Sequence, residues 1–99
     1  MIALVWRFEV RDAERDAFEA AYGPDGLWAR LFAQGEGFGG TQLMRDAEDG
    51  SYVTIDLWRS HAHFEAFLAE HGESYEALDR DTEALSRRET RIGEFEVIG

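Results

Sequence analysis

From Ile2 to Val10 the chain alternates, with Ile2, Leu4, Trp6, Phe8 and Val10 on one face of an extended segment and Ala3, Val5, Arg7 and Glu9 on the other. That period of two predicts a first strand. Asp12 is placed to cap a helix whose apolar positions Phe18, Ala21 and Tyr22 resume, after the interruption Gly23-Pro24-Asp25-Gly26, at Leu27, Trp28, Leu31 and Phe32. A break or kink is expected at Pro24. Gly35 to Gly40 then forms a glycine-rich connection into a second strand, Thr41 to Arg45. Tyr52 to Trp58 is rich in β-branched and aromatic residues and predicts a third strand. It pairs with the second across Asp46-Ala47-Glu48-Asp49-Gly50-Ser51 as a hairpin. Ser60 is a favoured N-cap for a second helix. Beyond it Phe64, Phe67, Leu68, His71, Tyr75 and Leu78 recur at three- and four-residue intervals, placing all of them on one buried helical stripe that Gly72 should weaken near its middle. The charged run from Asp79 to Glu89 covers the solvated end of that helix, and Arg91 to Ile98 forms the last strand.

The order strand, helix, strand, strand, helix, strand defines an α+β chain of the ferredoxin-like βαββαβ type, with a four-stranded antiparallel sheet and both helices on one face. The other face needs cover, because Val5 opposite Trp6 and Leu57 opposite Trp58 give the inner strands apolar or bulky residues on both sides. A second copy of the sheet is the natural cover, so a homodimer is expected.

Composition narrows the partners. The 99 residues suit one domain over positions 1–99, and 44% hydrophobic with 31% charged residues is a globular balance. A formal net charge of −11 repels phosphate backbones and anionic lipid surfaces, so neither nucleic acid nor membrane is an expected partner. The absence of cysteine removes disulfides, thiolate metal sites and a cysteine nucleophile, and fits a reducing compartment. The first residues are too short and too alternating for a signal peptide or membrane span, and a cytoplasmic location is expected. Lysine and asparagine are both missing, and every basic residue other than histidine is arginine.

The stretch Tyr22 to Phe32, then Gly39-Gly40-Thr41, Tyr52 to Ser60, Tyr75-Glu76-Ala77-Leu78-Asp79, and Glu89 with Gly93 and Phe95, resembles the antibiotic biosynthesis monooxygenase family over nearly the whole chain. The resemblance implies a dimeric α+β barrel. It also implies, for some members, oxidation of phenolic polyketides to quinones by O2 without a cofactor, and for one branch heme degradation. The heme-degrading branch uses an asparagine on strand one, a tryptophan on strand three and a histidine on helix two. Trp58 is in place and His71 is near, but the asparagine is absent and Trp6 or its neighbours occupy that region. The quinone-forming members are similar at Trp58, yet the side-chain amide expected four residues earlier is Thr54, and the tyrosine expected early in helix two is Phe64.

Trp58, Trp28 and Trp6, with Phe32, Phe64 and Tyr75, can line a flat apolar cavity between helices and sheet that takes a small aromatic molecule, or can simply pack the core. His71 is the first candidate base, since imidazole is the side chain that titrates near neutral pH, although a histidine on an apolar stripe is more often a satisfied core or pocket-rim residue. Asp56, in mid-strand, requires water or a partner such as Arg7 or Arg59; an ion pair is expected there, with a general-base role as the alternative. Arg7 or Arg59 can in turn stabilise an oxyanion. His61 and His63 are two residues apart, a spacing that does not favour a shared metal on a helix, and no metal site is expected. Gly35 to Gly40 fits G-x-G-x-x-G only formally, because it leaves a helix and enters a strand. The reading is therefore a monooxygenase of small phenol- or hydroquinone-like substrates that needs no cofactor. The alternatives are a dimeric binding protein for such a molecule and an isomerase or cyclase on the same barrel.

Overall fold

The computed structural model describes residues 1–99. In chain order it contains β1 (Ile2–Glu9), α1 (Arg15–Tyr22), α2 (Leu27–Phe32), β2 (Phe38–Arg45), β3 (Tyr52–Trp58), α3 (His61–Thr82) and β4 (Arg88–Glu96). The strands form one antiparallel sheet in the order β2-β3-β1-β4. The fold is the expected ferredoxin-like α+β arrangement, with α1 and α2 as the two halves of the first crossover.

The first crossover is broken where Pro24 stands, and the turn closes through Gly26 N–H to the Gly23 carbonyl at 2.9 Å. Gly26 is required there, because a Cβ would meet the carbonyl oxygens of Ala20 and Ala21 at 2.5 and 2.7 Å. Asp12 does not cap the helix as expected. It lies in a short 3-10 turn, Asp12–Glu14, and its carboxylate accepts from Arg15 Nε at 3.1 Å. Ser60 does cap α3, accepting from the His63 backbone N–H at 3.2 Å. The weakness expected at Gly72 appears one residue earlier, as a kink at His71 (φ −119°, ψ 22°).

Two strands differ from their expected spans. β2 begins at Phe38, because the glycines pair with β3 through an irregularity between Phe38 and Gly40. β4 begins at Arg88 and ends at Glu96, not Arg91 to Ile98. Its start is fixed by the Arg87 N–H donating to the Glu9 carbonyl at 2.7 Å, which pairs β4 with β1 along nearly its full length.

The core lies between helices and sheet and is built mainly from rings. Phe8, Phe18, Tyr22, Trp28, Phe32, Tyr52, Trp58 and Phe67 are all buried in one cluster. Phe18 stacks on Tyr22 with centroids 4.3 Å apart, and Trp58 meets Phe32 and Phe64 edge-on at 5.8 and 5.5 Å. Such pairs each contribute about 0.5–1.5 kcal/mol beyond the area they bury. The opposite face of the sheet is uncovered. Val5, Val53, Ile55 and Leu57 stand on it, with Met44 and Phe95 each more than 40% exposed.

Candidate functional site

β1 and β3 each turn alternate side chains toward the helices, so Trp6 and Phe8 come level with Thr54 and Tyr52. Above them Tyr22 closes α1, Trp28 and Phe32 project from α2, and Tyr75 stands beyond the kink in α3. These rings do not meet completely. They leave a cavity of about 160 Å³ walled by Trp6, Phe8, Tyr22, Trp28, Phe32 and Tyr75, with Thr54 and Asp56 on the sheet side and Asp79 and Glu89 at the exposed edge. An apolar concavity with a few convergent polar groups is the usual form of a small-molecule site.

Asp56 is the distinctive polar group. The Thr41 hydroxyl, directly opposite in the β2–β3 register, donates to Asp56 Oδ1 at 2.6 Å. No cation accompanies it. Burial pushes its carboxyl up to about 6, an effect that the Thr41 hydrogen bond only partly offsets. The ion pair expected with Arg7 or Arg59 is therefore not formed. Arg7 projects from the other face of β1, where its guanidinium reaches Asp46 Oδ2 at 3.3 Å and Ser51 Oγ at 2.5 Å. Arg59 is exposed beyond the end of β3.

The wall is oriented from behind by Thr82. Its Oγ1 accepts from the Tyr22 hydroxyl and from Trp28 Nε1, both at 3.3 Å, while donating to the Leu78 carbonyl at 2.8 Å. Burial raises the Tyr22 and Tyr75 phenols, and the carboxylates of Glu89 and Asp79 raise both further. Glu89 is itself raised, first by burial and then by Asp79 and Glu83, so the cavity edge is a concentration of negative charge.

Of the candidates from sequence, Trp6, Trp28, Phe32, Tyr75 and Asp56 come together around this cavity. Trp58, Phe64, His71 and Arg7 do not line it. Trp58 is fully enclosed among Phe32, Phe38, Phe64 and Phe67, with its Nε1 lacking a partner. His71 stacks on Phe67 at 5.3 Å, and its buried Nε2 is also unpartnered. The three histidines stand apart: His61 is held between Glu65 and Glu94, and His63 lies against Ser60. With no histidine in its wall, the cavity does not offer the imidazole that the heme-degrading branch uses.

Thr41, Thr82, Tyr22, Phe8, Asp79 and Glu89 belong to the site without being candidates from sequence. Thr41 carries a usable signal, because pairing the hairpin from Arg45 and Tyr52 counts directly to Thr41 opposite Asp56. A second, larger cleft of about 420 Å³ lies at the hairpin end, lined by Arg7, Arg11, Arg15 and Arg87 with Glu9, Asp12 and Asp49. It is almost wholly polar and its charges largely neutralise one another, so the smaller apolar cavity is the stronger candidate.

A four-stranded antiparallel sheet covered on one face by helices, with an aromatic cavity between them, is a ferredoxin-like α+β domain. The chain belongs to the antibiotic biosynthesis monooxygenase family, whose model matches residues 1–72. Among solved structures it is similar to SnoaB, a cofactor-independent oxygenase from Streptomyces nogalater. An asparagine-to-alanine variant of SnoaB aligns with a TM-score of 0.76 at 31% identity, covering 97% of this chain and 91% of that one. A second SnoaB structure aligns at 0.69 with 29% identity, covering 99% and 93%. Rv0793 from Mycobacterium tuberculosis shares the fold at a TM-score of 0.65 and 19% identity, covering 99% of this chain and 95% of that one. A search of curated proteins returns no match. No helix is long and apolar enough to cross a membrane.

Proposed function

We propose that the protein is a cofactor-independent oxygenase of a small aromatic substrate, with Asp56 as the general base. One observation carries this reading: a carboxylate with no charged partner faces an aromatic-walled cavity and has its pKa pushed up to about 6. A base with a pKa near the working pH balances availability against driving force. Similarity to SnoaB supports the class of reaction.

In this reading Trp28, Phe32, Tyr75 and Trp6 hold the ring, and Asp56 takes a proton from a phenol or from a methylene activated by it. The resulting anion gives one electron to O2, and the two radicals join as a peroxide. The protonated Asp56 returns its proton to the peroxide, which loses water to leave a carbonyl. Overall, a methylene and O2 become a ketone and water, so carbon loses four electrons and dioxygen gains four. The enclosing rings keep bulk water from the anion.

The functional unit in this proposal is a homodimer, which the uncovered sheet face carrying Val53, Ile55 and Leu57 supports. A binding role without turnover is the second reading. It is favoured by Thr54 and Phe64 standing where a quinone-forming site is expected to have an amide and a phenol.

Oxygen uptake with a panel of anthrones and hydroquinones tests the proposal. Uptake by the wild type that is lost in Asp56→Asn and retained in His71→Ala is the expected result. No uptake above buffer would overturn the oxygenase reading, and a ligand bound with unchanged mass would leave the binding role. A product formed with no O2 consumed and no oxygen added would indicate an isomerase or cyclase.

A further inference from the structure

The cavity wall contains three carboxyl groups, Asp56, Asp79 and Glu89, and no arginine, lysine or histidine. That is unexpected for a site in which a substrate is to become an anion, because the developing charge has no protein cation to meet. Every element around the cavity adds to this imbalance or leaves it unchanged. β1 contributes only Trp6 and Phe8, α1 contributes Tyr22, and α2 contributes Trp28 and Phe32. β3 contributes Thr54 and Asp56, α3 contributes Tyr75 and Asp79, and β4 contributes Glu89. Arg91 pairs with Trp6 two residues beyond Glu89, but it is exposed, is not part of the wall and makes no ion pair. Glu83, in the turn before β4, adds a further negative charge felt by Glu89.

We infer that the molecule taken by this cavity carries its own positive charge: an aromatic ring with a cationic substituent such as a protonated amine. The ring lies against Trp28, Phe32 and Tyr75, and the cation sits at the exposed edge between Asp79 and Glu89. The inference rests on the reading of this cavity as the substrate site and narrows its substrate class. Two observations and one electrostatic argument accompany the charge count. Trp28 and Tyr75 meet edge-to-face at 5.1 Å, and Tyr75 stands close enough to Asp79 and Glu89 to feel both charges, so an electron-rich ring borders the acidic edge. Asp56 has Thr41 as its sole hydrogen-bond partner and no counterion, which leaves a desolvated carboxylate in the cavity for a ligand to complement. Proton transfer from substrate to Asp56 conserves the charge of the pocket, so a resident cation on the substrate stabilises the anion formed beside it.

Three related para-substituted phenols separate the possibilities: tyramine (cationic), 4-ethylphenol (neutral) and 3-(4-hydroxyphenyl)propanoate (anionic), titrated by calorimetry and followed at the indole N–H resonances of Trp6 and Trp28. Tyramine is expected to bind about tenfold tighter than 4-ethylphenol, with the anion weakest, given the usual strength of cation–π and partly buried ionic contacts. Asp79→Asn and Glu89→Gln should each weaken tyramine severalfold and leave 4-ethylphenol unchanged. Glu48→Gln, on the distant hairpin turn, should change neither, which excludes a general effect of the net charge. Equal affinity for tyramine and 4-ethylphenol at the tryptophans would overturn the cationic substrate and leave the aromatic site standing. Failure of both to perturb the tryptophans would overturn the site itself and the inference with it.

Discussion

The carboxyl of Asp56 should make the protein less stable at neutral pH, and removing its charge should therefore stabilise the fold while abolishing turnover. Its pKa is about 6 in the folded chain against 3.8 for the free side chain, a rise caused by burial and opposed by Thr41. A raised acid pKa means that the native state holds the proton more tightly than the unfolded one. The associated stability is fully present below about pH 4 and is lost as pH rises through about 6. A rise of that size corresponds to about 3 kcal/mol, an upper figure because the cavity opens to solvent at Asp79 and Glu89. Asp56→Asn keeps an oxygen to accept from Thr41 and carries no charge. Urea unfolding of both proteins across pH 4 to 8, at fixed protomer concentration, isolates the group, since every other acid is common to both and cancels in the difference. The variant should gain up to about 3 kcal/mol on the wild type between those pH values, equivalent to roughly 12–24 °C in Tm for a chain of this size. In the uptake assay the same variant should lose about 10²- to 10⁴-fold in kcat, and the acidic limb of the wild-type pH profile near 6 should disappear. A stability difference that stays flat with pH would refute the argument, because it would mean that the carboxylate is solvated in the folded chain.

Thr82→Val leaves the Tyr22 hydroxyl and Trp28 Nε1 without their shared acceptor, and should cost about 1–3 kcal/mol in urea unfolding and weaken binding of 4-ethylphenol. Intact ligand affinity would mean that the rings are held by packing alone. Trp58→Ala should cost about 3–5 kcal/mol, as for other enclosed aromatics, and a Trp58→Phe variant stable enough to titrate should bind the phenol as the wild type does. His71→Phe removes a buried, unpartnered nitrogen from a site already stacked on Phe67; a rise of about 1 kcal/mol is expected, and a fall would reveal a hydrogen bond through water. Ile55→Glu, on the uncovered face of the sheet, should convert the proposed dimer to a monomer in sedimentation equilibrium; a variant that stays dimeric would place the interface elsewhere, and a monomeric wild type would overturn the dimer.

How much the sequence makes legible depends on whether a residue's role comes from local periodicity or from register between distant segments. β3 and its Ser60 cap emerge from composition alone, and the aromatic positions of α2 fall correctly on the buried side of the broken crossover. His71 also lies on the buried stripe, as its spacing implies. The kink there alters the path of α3, however, so that Tyr75 reaches the cavity while His71 packs on Phe67. Glu89 and Asp79 read as solvated charges when β4 is expected to begin at Arg91. The Arg87–Glu9 hydrogen bond starts it three residues earlier, and the resulting register sets Glu89 opposite Phe8 on the helix side of the sheet. The pairing with β1 also shifts between Val5 and Trp6, where Ile92 is passed over, and a one-residue slip exchanges the faces of a strand, which is why the acidic edge of the cavity is invisible until the pairing is known.

The same period of two explains how this chain differs from the site that its family resemblance implies. Thr54, Asp56 and Trp58 project from β3 toward the helices in steps of two residues, and their surroundings differ along that row. Thr54 and Asp56 border the cavity, whereas Trp58 is sealed beneath four phenylalanines. Where a quinone-forming site is expected to have an amide, Thr54 offers only a hydroxyl. The next inward position supplies a carboxylate whose strand partner, Thr41, can donate one hydrogen bond but no charge. The cavity therefore has a polar group even without that amide. Its strongest polar group stands two residues along the strand, and under the proposed function that buried carboxylate, with its pKa pushed up to about 6, is the base.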